Sequence, residues 1–316
     1  MLSSKTSPRI VTLTLNPAID LACITHSVVP VHKIRTTAEQ YDAGGGGINI
    51  ARVLRTLGTD ALAILMAGGT TGQFLRELLD EKGIEYLIIP ILGRTRISLN
   101  VHESSTGREF RFVPAGPLVT EAEWHALLEA LEKIESQWLV ASGSLPEGVP
   151  EDFYGRLARL AARRGMHFVL DTTGAALKHA LGQGVTLIKP SQGELESLLG
   201  RTIRDWREQE AAALTLVRAG AAKFVVLSLG AEGAILARDK GVLRLPAPNV
   251  VVRSSVGAGD SFTAGMILGL SRGDAPEAAF ARGIAAGAAA VMNYGTAHPL
   301  PADVEALYQQ IVLPTP

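Results

Sequence analysis

The sequence predicts an α/β fold: a mostly parallel central sheet with helices on both faces, and a small β-sheet inserted into it. Three observations predict this. Short runs rich in β-branched residues recur along the chain, segments with apolar residues at three- and four-residue spacing separate most of them, and two stretches break that rhythm. Several of the short runs, among them ALAILMAG (61–68) and FVVLSLG (224–230), are apolar without alternation, as strands covered on both faces are.

The first strand is IVTLTL (10–15). Residues 20–42 read as irregular strands, followed by a helix at 48–57, a strand at 61–68, a helix at 73–82 and a strand at 86–92. RTRISLNVHESSTGREFRFV (94–113) reads as a hairpin: Ile97, Leu99 and Val101 alternate with Arg96, Ser98, Asn100 and His102, a polar SSTG turns the chain, and Phe110 and Phe112 alternate with Glu109 and Arg111. Segments 20–43 and 93–114 together predict the inserted sheet, a lid with one apolar face and two arginines on the other. An apolar lid face needs cover from the main body or from a second copy of the chain, which predicts a homodimer built through the lid. A helix at 121–135, with Thr120 and Glu123 at capping-box spacing, leads to a strand at 138–143, a helix at 151–164 and strands at 167–171 and 185–190. Helices at 192–199 and 206–219, a strand at 224–230 and three closing helices (260–271, 276–292, 302–312) complete the order. No internal repeat or Pro/Gly-rich linker divides the chain, so residues 1–316 read as one domain.

With 316 residues, 47% hydrophobic and 19% charged, the chain can bury a large core. Thirty basic against thirty-one acidic residues, with no long basic run, exclude an extended nucleic-acid footprint. Cys23, the single cysteine, has no internal disulfide partner and reads as a small core residue on a strand. The first nine residues lack the apolar stretch of a secretory signal, and the late apolar run at 284–292 falls far short of the roughly 20 residues that a bilayer span needs. The expectation is a cytoplasmic protein with no membrane partner. The seven histidines show no metal-ligand spacing.

Val256-Gly257-Ala258-Gly259-Asp260 places a glycine turn at a helix N-terminus, where N–H groups outside the helix ladder and the helix dipole favour an anion. A carboxylate beside such a pocket repels a bound phosphate unless it acts on the attacking group, and deprotonating or orienting a hydroxyl is such a task. The alternative is that Asp260 caps the helix. Four further glycines, Gly44 to Gly47, precede a helix that carries Asn49 in its first turn. Their entropic cost points to close approach by a polyhydroxy ligand. Neither cluster is a Walker loop or a dinucleotide fingerprint.

GGGGINIARVLRTLG and SSVGAGDSFTAG, with LIKPSQGEL between them, resemble the signatures of the PfkB carbohydrate kinase family, and the likeness runs from about residue 10 to 312. The resemblance implies a ribokinase-like fold, Asp260 as catalytic base, Gly257, Ala258 and Gly259 as the anion hole, and ATP with Mg²⁺ as phosphoryl donor. TLNPAID, the quadruple glycine and the lid arginines resemble the branch that phosphorylates sugar phosphates, with fructose 6-phosphate as the expected substrate. 1-Phosphofructokinases and tagatose-6-phosphate kinases, the alternatives, usually carry lysine where Gly46 stands. A non-catalytic sugar-phosphate or nucleotide sensor with the same fold is the rival reading.

On the substrate side the expected residues are Asp20, Lys33, Gly45, Gly46, Asn49, Arg96, Arg111, Ser144 and Asp260. The planar guanidinium forks of Arg96 and Arg111 suit a phosphate, Lys33 adds a charge toward the substrate phosphate or ATP, and Asp20 accepts from sugar hydroxyls. On the ATP side the expected residues are Lys189, Ser191, Ser228, Gly230, Gly233, Gly257, Gly259 and Asn293. Lys189 and Glu194 emerge at the carboxyl end of a buried strand, where ligands bind in open α/β sheets. The family has Asn-x-x-Glu in that stretch; here Ser191 replaces the asparagine, and Glu194 is expected to hold Mg²⁺ through water.

Overall fold

The computed structural model describes residues 9–293 and 299–311. The chain opens with β1 (Ile10–Thr14), β2 (Ala18–Thr25), β3 (Thr37–Gly44), α1 (Gly46–Thr56), β4 (Leu62–Ala67), α2 (Gly69–Glu81) and β5 (Tyr86–Pro90). Then come β6 (Arg96–Glu103), β7 (Arg108–Phe112), α3 (Glu121–Glu132), β8 (Trp138–Ser142), α4 (Phe153–Arg163), β9 (His167–Asp171), α5 (Gly174–Ala180), β10 (Leu187–Ile188), α6 (Gln192–Leu199) and α7 (Trp206–Arg218). The last part holds β11 (Phe224–Ser228), β12 (Ala234–Arg238), β13 (Gly241–Leu245), α8 (Ala258–Arg272), α9 (Pro276–Val291) and α10 (Pro301–Gln310).

The large sheet has the order β13-β12-β11-β10-β9-β8-β1-β4-β5, parallel from β5 to β11 and antiparallel through β12 and β13. Its strands lack alternation because both faces are covered. Along β1, Val11 and Leu13 enter one core with Phe153, Tyr154 and Phe168, while Ile10 enters the other with Ile48, Phe262 and Phe280. Period-two side-chain direction thus sorts one apolar run into two cores.

Three elements, β12, β13 and α5, go beyond the sequence expectation. The antiparallel hairpin β12–β13 turns through Asp239 and Lys240 and re-enters at Gly241, whose φ is 125°. Its residues are buried on both faces over most of β12, so the alternation that marks a hairpin is missing. Helix α5 is a single short segment without an amphipathic period of useful length. The predicted helix 302–312 ends at Gln310, and its last predicted position lies outside the described residues. Alanine and glycine do permit close packing of α8 on α9: a Cβ on Gly265 would stand 2.8 Å from the Arg282 carbonyl oxygen. Among the described residues no helix is long and apolar enough to cross a membrane.

The smaller sheet has the order β3-β2-β6-β7 and follows the predicted register, with strands that begin at Ala18 and end at Gly44, just outside the predicted bounds. Leu21 stands opposite Tyr41 and Leu99, and Leu99 opposite Phe112, which makes one apolar face; Asp20 stands opposite Asp42 and Ser98, and Asn100 opposite Arg111, which makes the polar one. The β2–β3 register shifts between Ala22 and Ile24, and Cys23 at that irregularity is buried, as expected for a core residue.

Candidate active site

Strand β1 lies between β4 and β8, so the chain runs outward through β4 and β5 on one side of β1 and returns to β8 on the other. Connections diverge at that point, which leaves a crevice at the carboxyl ends of the strands. A cavity of about 410 Å³ opens there, lined among others by Asp20, Asn49, Arg96, Arg111, Ser142 and Asp260. A second cavity, of about 620 Å³, is lined mainly by apolar and small residues, among them Gly230, Val250, Phe262, Gly287 and Val291. Ser255 and Gly259 belong to both, so the two cavities meet at the first turn of α8.

Gly257 caps α8 with φ 78°, a left-handed conformation that suits glycine, and turns the first N–H groups of the helix toward this junction. Asp260 follows in the same turn. Its Oδ2 accepts a hydrogen bond of 2.8 Å from Asn49 Nδ2 on α1. Burial, then the Asp171 carboxylate, push the Asp260 carboxyl up to about 7 against the opposing effects of the Asn49 hydrogen bond and Lys189. Such a group changes charge near neutrality, as a general base should.

Beneath the turn, Lys189 Nζ stands 3.1 Å from Asp171 Oδ2. A Cβ on Gly259 would stand 3.3 Å from the same ammonium, so this buried cation lies directly under the helix N-terminus. Burial pulls the Lys189 pKa down, but Asp171, with Asp260 and Glu194, more than offsets it and the net direction is up. The turn therefore presents helix amides and a fixed positive charge between the two cavities.

A profile of the pfkB family carbohydrate kinases matches residues 13–303. The chain belongs to this family. It is 42% identical over 310 residues to ATP-dependent 6-phosphofructokinase isozyme 2 of Mycobacterium tuberculosis, covering 98% of this chain and 91% of that protein. The Escherichia coli protein of the same name is 40% identical over 91% of this chain and 94% of its own length. A crystal structure of phosphofructokinase-2 from Escherichia coli with fructose-6-phosphate superimposes with a TM-score of 0.91 at 37% identity, over 96% of this chain and 99% of that one. The same Escherichia coli protein has been solved in a tetrameric inhibited form. A 1-phosphofructokinase of Bacillus subtilis and a tagatose-6-phosphate kinase of Staphylococcus epidermidis are more distant, at 30% and 31% identity.

In this pfkB kinase most of the expected residues converge. Asp20, Gly45, Gly46, Asn49, Arg96, Arg111, Ser144, Glu194, Gly257, Gly259 and Asp260 line the polar cavity; Lys189, Ser228, Gly230, Gly233, Ala258 and Gly259 line the apolar one. Burial pushes the Asp20 carboxyl up to about 6, opposed by Arg111, Arg52 and Arg96. Ser144 Oγ accepts from Asn16 Nδ2 at 3.3 Å, and Ser228 Oγ donates to the Pro190 carbonyl at 3.3 Å.

Several expectations change in detail. Arg96 is no open fork: Nη1 donates to the Pro114 carbonyl and Nη2 to the Asn16 carbonyl, each at 2.8 Å. Arg111, exposed at the cavity wall, is the more available guanidinium. Ser191 lines neither cavity but caps α6: Glu194 Oε2 accepts from the Ser191 N–H at 2.7 Å, and Ser191 Oγ accepts from the Glu194 N–H. This S-x-x-E capping box was readable in the sequence. Lys33 sits exposed on the β2–β3 connection, and Asn293 donates to the Ala289 carbonyl at 3.2 Å just beyond α9; neither lines either of the two cavities. The four glycines answer mainly to close approach by the chain itself. A Cβ on Gly46 would strike Ser142 Oγ and stand 3.2 Å from Asp260 Oδ1, and one on Gly47 would stand 2.5 Å from the Leu13 carbonyl oxygen.

Sequence reasoning missed Asp171 and Ser142, which line the polar cavity. HFVLD ends in an acid at the carboxyl end of its strand, the same signal that marked Lys189, so Asp171 could have been found.

Proposed function

We propose that the chain is an ATP-dependent sugar-phosphate kinase that converts fructose 6-phosphate to fructose 1,6-bisphosphate. The observation that carries this reading is the meeting of a polar and an apolar cavity at one helix turn with Asp260 beside it. The apolar cavity takes the adenosine of ATP, and Gly230, Gly233 and Ser228 shape its wall. The polar cavity takes the sugar: Asp20 accepts from its hydroxyls, and Arg111, with Arg96 behind it, faces its phosphate. Asp260 takes the proton of the attacking hydroxyl. The new bond forms between that oxygen and the γ-phosphorus, the bond to the β–γ bridging oxygen breaks, and ADP leaves with the electron pair. The α8 amides and Lys189 stabilise the charge on the transferred group.

Among the described residues no group of three or more His, Cys, Asp and Glu could form a metal cage. Mg²⁺ keeps several waters and binds through one or two carboxylates plus the nucleotide phosphates, and the Glu194 carboxylate lines the polar cavity. Glu194 is the residue that would hold it, through water, with the metal neutralising phosphate charge. Lys33 and Asn293 would join the site only by movement of their segments.

The substrate assignment draws support from the higher identity to the 6-phosphofructokinases, 42% and 40%, than to the 1-phosphofructokinase and the tagatose-6-phosphate kinase, 30% and 31%. The smaller sheet acts as a lid of a single kinase domain, and closure over the sugar excludes water. Its apolar face leaves Phe112 55% and Ile97 42% exposed. A second copy covering that face makes the enzyme a homodimer. Sedimentation distinguishes this dimer from a monomer or a tetramer.

ADP release measured in parallel with fructose 6-phosphate, fructose 1-phosphate, tagatose 6-phosphate and unphosphorylated fructose tests the function. The expected order places fructose 6-phosphate first. Release with none of them returns the chain to a sensor, and preference for another sugar phosphate redirects the substrate.

A further inference from the structure

Arg52 is a buried cation that the mechanism above leaves unused. It lies on α1, three residues after Asn49, with its side chain only 3% exposed. Its Nη1 donates to the Ala43 carbonyl at 2.9 Å and faces Asn49 Oδ1 at 3.5 Å, and its Nη2 stands 4.0 Å from Asp42 Oδ1. Asp42 is held in turn by Gln40 Nε2 at 2.9 Å and by Lys82 Nζ at 3.6 Å. Gln40, Asp42 and Ala43 all belong to β3, the edge of the smaller sheet that runs into the glycine loop.

A carboxamide has one accepting end and one donating end. Asn49 must turn its NH₂ toward Asp260 to make the 2.8 Å hydrogen bond to Oδ2. With the amide flipped, its oxygen would face the carboxylate of Asp260 and its NH₂ would face the guanidinium of Arg52, so both contacts would become repulsive. Burial lowers the Arg52 pKa while Asp42, Asp20 and Asp260 oppose it; the guanidinium, with its very high ordinary pKa, stays a cation. A buried charge of this kind is costly to keep unless it is fully paired, and its pairs here run from the strand edge to the candidate base.

We propose that Arg52 is a positioning residue for phosphoryl transfer: anchored on Ala43 and Asp42 of β3, it fixes the Asn49 amide with its donor toward Asp260, and so ties the orientation of the base to the seat of the smaller sheet. This inference rests on the reading of Asp260 as the base. It makes Arg52 act through Asn49, without contact with sugar or nucleotide.

The test is a double-mutant cycle on the full chain, with ADP release from fructose 6-phosphate and ATP as readout. Arg52→Gln is expected to lower kcat about tenfold with both KM values within about twofold, because only the orientation of the base is disturbed. Asn49→Ala is expected to lower kcat at least as far, and Arg52→Gln added to Asn49→Ala should cost less than about twofold more. Arg52→Lys, which keeps a cation, should recover part of the loss. Losses that multiply in the double variant, or an unchanged kcat in Arg52→Gln, overturn the proposal. If Arg52→Gln does not fold, Asp42→Asn, which keeps the guanidinium but loosens its anchor, takes its place in the cycle with the same two outcomes. Asp260→Asn separates the two failures: retained turnover there removes the base itself, whereas lost turnover with multiplying Arg52 and Asn49 effects removes only the role of Arg52.

Discussion

The cavity on the α9 side of the α8 turn is walled by Val250, Phe262, Ile284 and Val291, whereas the one under the smaller sheet is walled by Asp20, Arg96, Arg111 and Asp260. The first needs shape. Small residues such as Gly287 and Ala288 leave room for a flat, weakly polar group, and a modest change of wall changes fit without changing charge. The second needs a charge arrangement that the fold must hold against its own desolvation cost, and both of its central carboxylates, Asp20 and Asp260, are displaced upward in pKa. Substitutions in the two regions should therefore differ in kind as well as in size.

The largest effect is expected at the junction. Asp260→Asn should lower kcat about 10³-fold or more while sugar binding by calorimetry stays within a few-fold, since the amide keeps the size of the carboxylate and loses its basicity. Near-normal turnover would detach the chemistry from the place where the cavities meet. On the polar side, Arg111→Ala should raise the KM for the phosphorylated sugar about 100-fold and leave the KM for ATP within about twofold, a loss typical of a charge-assisted contact. Equal effects on both would dissolve the division of labour between the two cavities. Arg96→Ala differs in principle, because two backbone carbonyls also lose their donor.

A pH profile sharpens the same comparison. A base at Asp260 would work ionised, so kcat/KM for the sugar phosphate should fall about tenfold per unit once pH drops below the Asp260 value of about 7. On the apolar side, Val252→Trp narrows the mouth of the cavity at a residue that is 63% exposed, so the fold is spared. Its expected effect is a roughly fivefold rise in KM for ATP with sugar KM unchanged.

The smallest effect is on stability. The folded-state pKa of Asp260 lies above its unfolded value, so between about pH 4 and 7 the folded chain binds the extra proton and loses stability as pH rises. Asp260→Asn should therefore melt higher than the parent at pH 8 and no higher at pH 4, by roughly 2 °C for each kcal/mol relieved in a chain of this size. A difference that does not shrink toward low pH would remove the buried carboxylate as its cause.

The two regions were also unequally legible. The glycines on either side of Ala258 and the acid behind them marked the junction, because a turn at a helix N-terminus needs few residues and all of them are contiguous. The alternation of Ile97, Leu99 and Val101 with Arg96, Ser98 and Asn100 placed the smaller sheet in the right register. Lys33 was expected on charge and Asn293 on resemblance, and neither is among the residues that line the two cavities. Arg96 lay on the right face, but the carbonyls that occupy it come from residues 16 and 114, which no local pattern connects to it.

What the sequence determined by itself was the periodic and the contiguous: the strand and helix order apart from α5 and the β12–β13 hairpin, the two sheets, the cap at Thr120 and the turn at Gly257, since these follow from side-chain direction and backbone conformation over a few residues. Tertiary structure alone decided which charges meet. Asn49 reaches Asp260 across 211 positions and Lys189 finds Asp171 across a strand pair, because the strength of a buried charge contact depends on distance in space and on local burial, and neither is written in sequence separation.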